Sequence, residues 1–90
     1  MMRVYSVIYS EIAIKQLKKT DRHQALLLYN WIAKNLSGCE NPRAQGKALT
    51  GDKSGYWRYR VGVYRIIAEI QDDKIVISIV QVGHRKEIYK

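Results

Sequence analysis

Arg58, Arg60 and Arg65, with a basic C-terminal run His84-Arg85-Lys86 that leads to Tyr89, are the residues of this chain most suited to chemistry. Guanidinium groups match phosphate because their forked donors meet two oxygens at once. One cysteine, Cys39, and two histidines far apart, His23 and His84, give no zinc-ligand spacing, and no pair of carboxylates converges. Chemistry on a phosphate would therefore proceed without metal or other cofactor. RNA permits that, because its 2′-hydroxyl attacks the adjacent phosphorus once deprotonated. Such a site needs a base for the 2′-hydroxyl, cations around the five-coordinate phosphorus and an acid for the departing 5′-oxygen. The arginines supply the cations. Tyr89 or His84 could move the protons: histidine titrates near neutral pH, and surrounding positive charge lowers a tyrosine from its reference value near 10. The plainer reading is a solvated arginine face, or one paired with Glu69.

The elements that must position these groups lie in residues 55–90. In Tyr56 to Val61, Trp57, Tyr59 and Val61 share one face of a strand, and Tyr56, Arg58 and Arg60 share the other. Gly62-Val63 fits a two-residue hairpin turn with glycine first. That register sets Val61 against Tyr64, Arg60 against Arg65, Tyr59 against Ile66 and Arg58 against Ile67. Residues paired across the ladder point to the same side, so Arg58, Arg60 and Arg65 share a face. A second two-residue turn at Asp72-Asp73 sets Ile70 against Ile75. It puts Ile75, Ile77 and Ile79 on the helix side, and Val76, Ser78, Val80 and Val82 on the arginine face, with Arg65 opposite Val80. Gly83 then ends the strand near the first turn, so that His84, Arg85 and Lys86 emerge close to Arg65. Like charges facing each other on a sheet repel, and an anionic ligand would relieve Arg60 and Arg65.

The remainder reads as scaffold. Met2 to Tyr9 is apolar on both faces, as in a strand buried on both sides. Ser10 caps a short helix over Glu11 to Lys19, with Ile14 and Leu17 inward. Asp21, with Gln24 three residues on, opens a second helix to Ser37. Its apolar positions Ala25, Leu28, Tyr29, Ile32 and Leu36 recur at helical spacing, Leu27 and Trp31 widen the stripe, and the whole stripe reads as core. Gly38 and Pro42 stop it. The loop 38–55 carries Arg43, Lys47 and Lys53, and loops of this length are often functional. The 90 residues make one α+β domain over 1–90: an N-terminal strand, a helical hairpin, then a three-stranded antiparallel meander (β-α-α-β-β-β). Sixteen basic against 8 acidic residues, a net charge of +8, favour nucleic acid, an acidic protein, or both as partners. No apolar run is long enough to span a membrane. The lone cysteine places no demand on an oxidising compartment, and the expected location is the cytoplasm.

Leu49-x-Gly51, then Trp57-Arg58-Tyr59-Arg60-Val61-Gly62-x-Tyr64-Arg65, then Val82-Gly83-His84-Arg85-Lys86-x-x-Tyr89 together resemble the RelE/ParE toxin superfamily of bacterial toxin–antitoxin systems. The element order is similar too, so the resemblance spans essentially the whole chain and implies a RelE-like fold. It implies a ribosome-dependent mRNA endonuclease that cuts in the ribosomal A site and leaves a 2′,3′-cyclic phosphate. It also implies an acidic, RelB-like antitoxin that wraps the toxin. By position, Arg65 and Arg85 match the phosphate-stabilising arginines, Tyr89 the tyrosine that activates the 2′-hydroxyl, and Arg58 a basic position of the site. A second lysine of that strand corresponds to Tyr56 here, which brings in Lys47, Lys53 or His84 as further carriers of protons or RNA contacts. Arg60 and Lys86 complete the expected RNA-binding set. Three rivals remain: a ParE-like toxin that poisons DNA gyrase without cutting RNA, a non-catalytic RNA-binding module, and a purely structural partner of an acidic protein. The set Arg65, Arg85 and Tyr89 favours the nuclease.

Overall fold

The structure, a computed structural model, describes residues 4–51 and 54–84. Its elements run β1 (Ser6–Tyr9), α1 (Glu11–Lys19), α2 (Arg22–Asn35), β2 (Lys47–Ala48), β3 (Trp57–Val61), β4 (Tyr64–Gln71) and β5 (Val76–His84). One mixed sheet in the order β1-β5-β4-β3-β2 carries the helical hairpin, which confirms the α+β architecture. β2 joins it as an additional two-residue strand inside the long loop.

Both helices begin where their capping residues put them. Ser10 Oγ accepts from the Ala13 N–H at 3.0 Å, and the Asp21 carboxylate accepts from His23 and Gln24 N–H at 3.1 and 3.4 Å. α1 buries Ala13 and Leu17. Ile14, expected inward, lies off that i, i+4 row and is exposed. α2 buries Ala25, Leu28 and Ile32, and the chain just beyond it buries Leu36. These residues form one core with Tyr59, Ile66, Ala68, Ile77, Ile79 and Val82 of the sheet. Tyr29 is exposed and rests on Tyr9, ring centroids 5.5 Å apart.

β1 differs from the doubly buried strand its composition suggests. It lies at the sheet edge, parallel to β5 through Ser6↔Val76 to Tyr9↔Ile79. Only Val7 and Tyr9 pack on the core, and Ile8 is half exposed on the other face.

The first hairpin has the register its turn chemistry dictates: Val61↔Tyr64, Arg60↔Arg65, Tyr59↔Ile66 and Arg58↔Ile67. Gly62 takes φ 61°, and Val63 is not in the left-handed region. A type II′ turn requires that combination.

The second hairpin departs from expectation twice. Its turn spans four residues, Asp72 to Ile75, and the ladder starts at Gln71↔Val76 and Ile70↔Ile77. Asp72 is held by the Arg43 fork at 3.0 and 2.9 Å and by the Tyr5 hydroxyl at 2.6 Å. This two-residue offset leaves the faces unchanged, so Ile77 and Ile79 are core. The second departure is a bulge between Ile67/Ala68 and the facing strand: Ala68 pairs with Ile79 but Ile67 with Gln81, leaving Val80 over. A single extra residue inverts every later side chain. Val82, expected on the arginine face, is therefore in the core, Gln81 takes its place, and Arg65 lies opposite Gly83 rather than Val80. α1 satisfies the backbone that the bulge leaves over: Ser10 Oγ donates to the Val80 carbonyl at 2.9 Å, and Gln16 Oε1 accepts from the Val82 N–H at 2.6 Å.

Candidate functional site

β3 and β4 place Arg58, Arg60 and Arg65 on the sheet face away from the helices, as their alternation with buried Tyr59 and Ile66 requires. β2 adds a fourth cation, because Lys47 pairs with Arg58 and so shares its side. The four form two cross-strand pairs, Lys47↔Arg58 and Arg60↔Arg65. Their exposure is graded: Lys47 and Arg60 are exposed, Arg58 is half-buried, and Arg65 is only 6% exposed.

The surroundings of Arg65 follow from the ladder. Its β5 partner is Gly83, which puts no side chain beside it. Ile67, 3% exposed, lies between Arg58 and Gln81 and makes an apolar floor. Over such a floor the local dielectric is low and a charge contact is stronger than at an open surface. Glu69 lies farther along, opposite Ser78, and accepts from the Gln71 side-chain amide. Like charges that face one another in this way are held there by the hairpin register, and a bound anion offsets their repulsion. The arrangement is one that can grip a phosphate from one side. Among the described residues, no cluster of three or more His, Cys, Asp or Glu could hold a metal ion.

Arg58, Arg60, Arg65 and Lys47 are thus brought together. His84 is not brought to them. It is the strand neighbour of Gly83, but the bulge turns it to the helix side, opposite Tyr64, where the two rings meet edge-on at 5.9 Å. There it lines a cavity of about 440 Å³ with Gln16, Thr20, Asp21 and Tyr64, on the reverse of the sheet from the arginines. Lys53, Arg85, Lys86 and Tyr89 lie outside the described residues.

Two residues beside the site do not stand out in the sequence. Trp31, whose spacing assigns it to the core stripe, is half-buried. With Gln45 it lines a groove of about 230 Å³ against Lys47, Arg58 and Arg60. The signal for Trp31 is faint: it only widens the apolar stripe of α2. Gln45 has no signal in a loop of this composition.

Residues 7–89 match the family model described as the ParE toxin of the type II toxin–antitoxin system parDE. The chain is 30% identical over 84 residues to a RelE-like toxin protein of Escherichia coli, covering 91% of this chain and 84% of that one. It is 28% identical over 86 residues to toxin RelG of Mycobacterium tuberculosis, covering 96% and 97%. In three dimensions it superposes on a chain of the Mycobacterium tuberculosis toxin–antitoxin complex RelBE2 with a TM-score of 0.84 and 26% identity, over 97% of this chain and 98% of that one.

Proposed function

The chain belongs to the RelE/ParE superfamily of toxins of type II toxin–antitoxin systems, and within it we propose that it is a metal-independent endoribonuclease that cuts mRNA on the ribosome. The observation that carries this reading is the convergence of Lys47, Arg58, Arg60 and the buried Arg65 on one sheet face. In the proposed reaction the 2′-oxygen attacks the adjacent phosphorus as its proton leaves, and the bond to the 5′-oxygen breaks as that oxygen takes up a proton. The products are a 2′,3′-cyclic phosphate and a 5′-hydroxyl. Arg65 and Arg58 neutralise the charge that builds on the phosphoryl oxygens. Arg60 and Lys47 hold the flanking backbone of the RNA.

The resemblance assigns Arg85 to the same phosphate and Tyr89 to the 2′-hydroxyl proton, and in this reading Lys53 and Lys86 are further RNA contacts. His84, on the reverse face, takes no part in the phosphate site in this reading. A cognate antitoxin, acidic to match the net charge of +8, would silence the toxin by covering the arginine face.

Mapping mRNA 5′ ends after expression of the chain tests the proposal. Cuts within translated codons are expected, and Arg65→Ala should cut about 10²–10³-fold more slowly, the loss typical of a removed oxyanion donor. An Arg65→Ala variant that cuts at the parent rate would refute the site. A second reading has its own support, since the matching family model is that of the ParE toxin. If the chain poisons DNA gyrase, DNA damage appears without cuts in mRNA.

A further inference from the structure

β2 pairs only Lys47 and Ala48 with Arg58 and Trp57, so among the described residues the β2 side of β3 carries no strand alongside Tyr59 and Arg60, which pair on their other side with β4. The groove at this sheet edge is lined by Trp31, Gln45, Gly46 and the cations Lys47, Arg58 and Arg60. No carboxylate is among its lining residues. Three cations alone suit any anion. Trp31 adds a requirement for a flat ring, because it is the half-buried aromatic plane at the wall.

The wall is braced. The Trp31 ring lies 5.7 Å from that of Tyr59 at 52°, and Tyr59 is fully buried and donates its hydroxyl to the Pro42 carbonyl. Asn35 Nδ2 donates to the Trp31 carbonyl at 2.9 Å, Gln45 Nε2 donates to Asn35 Oδ1 at 3.2 Å, and Trp57 Nε1 donates to the Gln45 carbonyl at 2.7 Å. This series of bonds ties α2, the loop and β3 into one rigid rim. It also orients the Gln45 amide: with Nε2 committed to Asn35, Oε1 is the atom left to accept from a ligand.

We propose that this groove seats one nucleobase of a single-stranded RNA, the base of the nucleotide whose phosphate rests on Arg58 and Arg60. Trp31 stacks on the base, and Gln45 Oε1 accepts from an amino group on its edge. Unpaired bases on aromatic side chains are the usual currency of single-strand recognition. A groove of about 230 Å³ has room for one base. The inference rests on the RNA-cleaving reading for its biological ligand, while the nucleotide site itself is measured separately.

The experiment is an NMR titration at low salt with adenosine 5′-monophosphate and, as the ligand lacking a base, ribose 5-phosphate. The nucleotide should shift the Trp31 indole N–H and the Gln45 side-chain amide, and should bind about 5- to 150-fold more tightly than ribose 5-phosphate, the range of one base–aromatic stack. Trp31→Ala should lower its affinity to that of ribose 5-phosphate. Trp31→Phe, which keeps a ring and the packing on Tyr59, should retain most of it. Equal affinity for the two ligands, or a Trp31 resonance unmoved by the nucleotide, overturns the inference. Cleavage in a translating extract separates the two ideas. A parent that cuts mRNA while the two ligands bind equally leaves the nuclease reading intact and sinks the base site. A parent that cuts nothing but binds the nucleotide through Trp31 sinks the nuclease reading alone.

Discussion

Gly46→Ala should loosen the edge of the sheet that holds Lys47 opposite Arg58, and its effect can be separated into two parts. Gly46 has φ 81°, where an L side chain costs about 1–2 kcal/mol. Gly38 has nearly the same φ, 78°, but a Cβ there meets nothing within 4 Å. At Gly46 the added Cβ would stand 2.2 Å from the Arg58 carbonyl oxygen and 2.7 Å from Trp57 Nε1. Neither is the free end of a flexible chain: one is strand backbone, and the other is an indole held on Gln45. The loop must therefore move off β3, losing the Trp57–Gln45 hydrogen bond, worth about 0.5–1.5 kcal/mol, along with part of the two-residue pairing of β2. Gly46→Ala should then destabilise by at least about 1 kcal/mol more than Gly38→Ala, which is roughly 4–8 °C in melting temperature for a domain of this size. Thermal unfolding followed by circular dichroism measures both variants. Equal melting temperatures would refute the claim that close approach of the loop to β3, and not the backbone angle alone, requires glycine at 46.

Two further outcomes follow from buried polar groups. Burial holds the Tyr59 phenol well above its usual value, with Cys39 adding to the shift and Arg43 opposing it. A group whose folded-state pKa is raised contributes stability that is complete below the unfolded value near 10 and is lost as pH rises above it, here at up to about 1.4 kcal/mol per pH unit. Urea unfolding between pH 9 and 11.5 should therefore show a steeper alkaline loss for the parent than for Tyr59→Phe. At neutral pH that variant is itself weaker by about 1–3 kcal/mol, because the Pro42 carbonyl loses its donor. Identical alkaline slopes would contradict the burial argument. Gln16→Leu removes the acceptor of the Val82 N–H at the bulge and should cost about 1–3 kcal/mol in the same unfolding assay. If the variant is as stable as the parent, the bulge does not depend on α1.

Much of this chain is settled by neighbouring residues among themselves. Ser10 and Asp21 cap helices through atoms two or three residues away. Gly62 sets a turn whose geometry fixes the pairing on both sides, and so the face shared by Arg58, Arg60 and Arg65 was legible before any tertiary contact was known. The motifs around Gly62 and Gly83 carried family membership as well. Tertiary structure decided what depends on groups distant in the chain. At the bulge at Val80, Ser10 and Gln16, 70 and 66 residues before their partners, take up backbone groups that the ladder leaves over. From that one extra residue follow the burial of Val82, the glycine opposite Arg65 and the turning of His84 to the reverse face. β1 became an edge strand by pairing in parallel with the last strand, and Lys47 joined the arginines through a strand two residues long. A side-chain period of two carries no record of an inserted residue: Val80, Gln81 and Val82 read as a continuous strand until the helix that accommodates the insertion is folded against them.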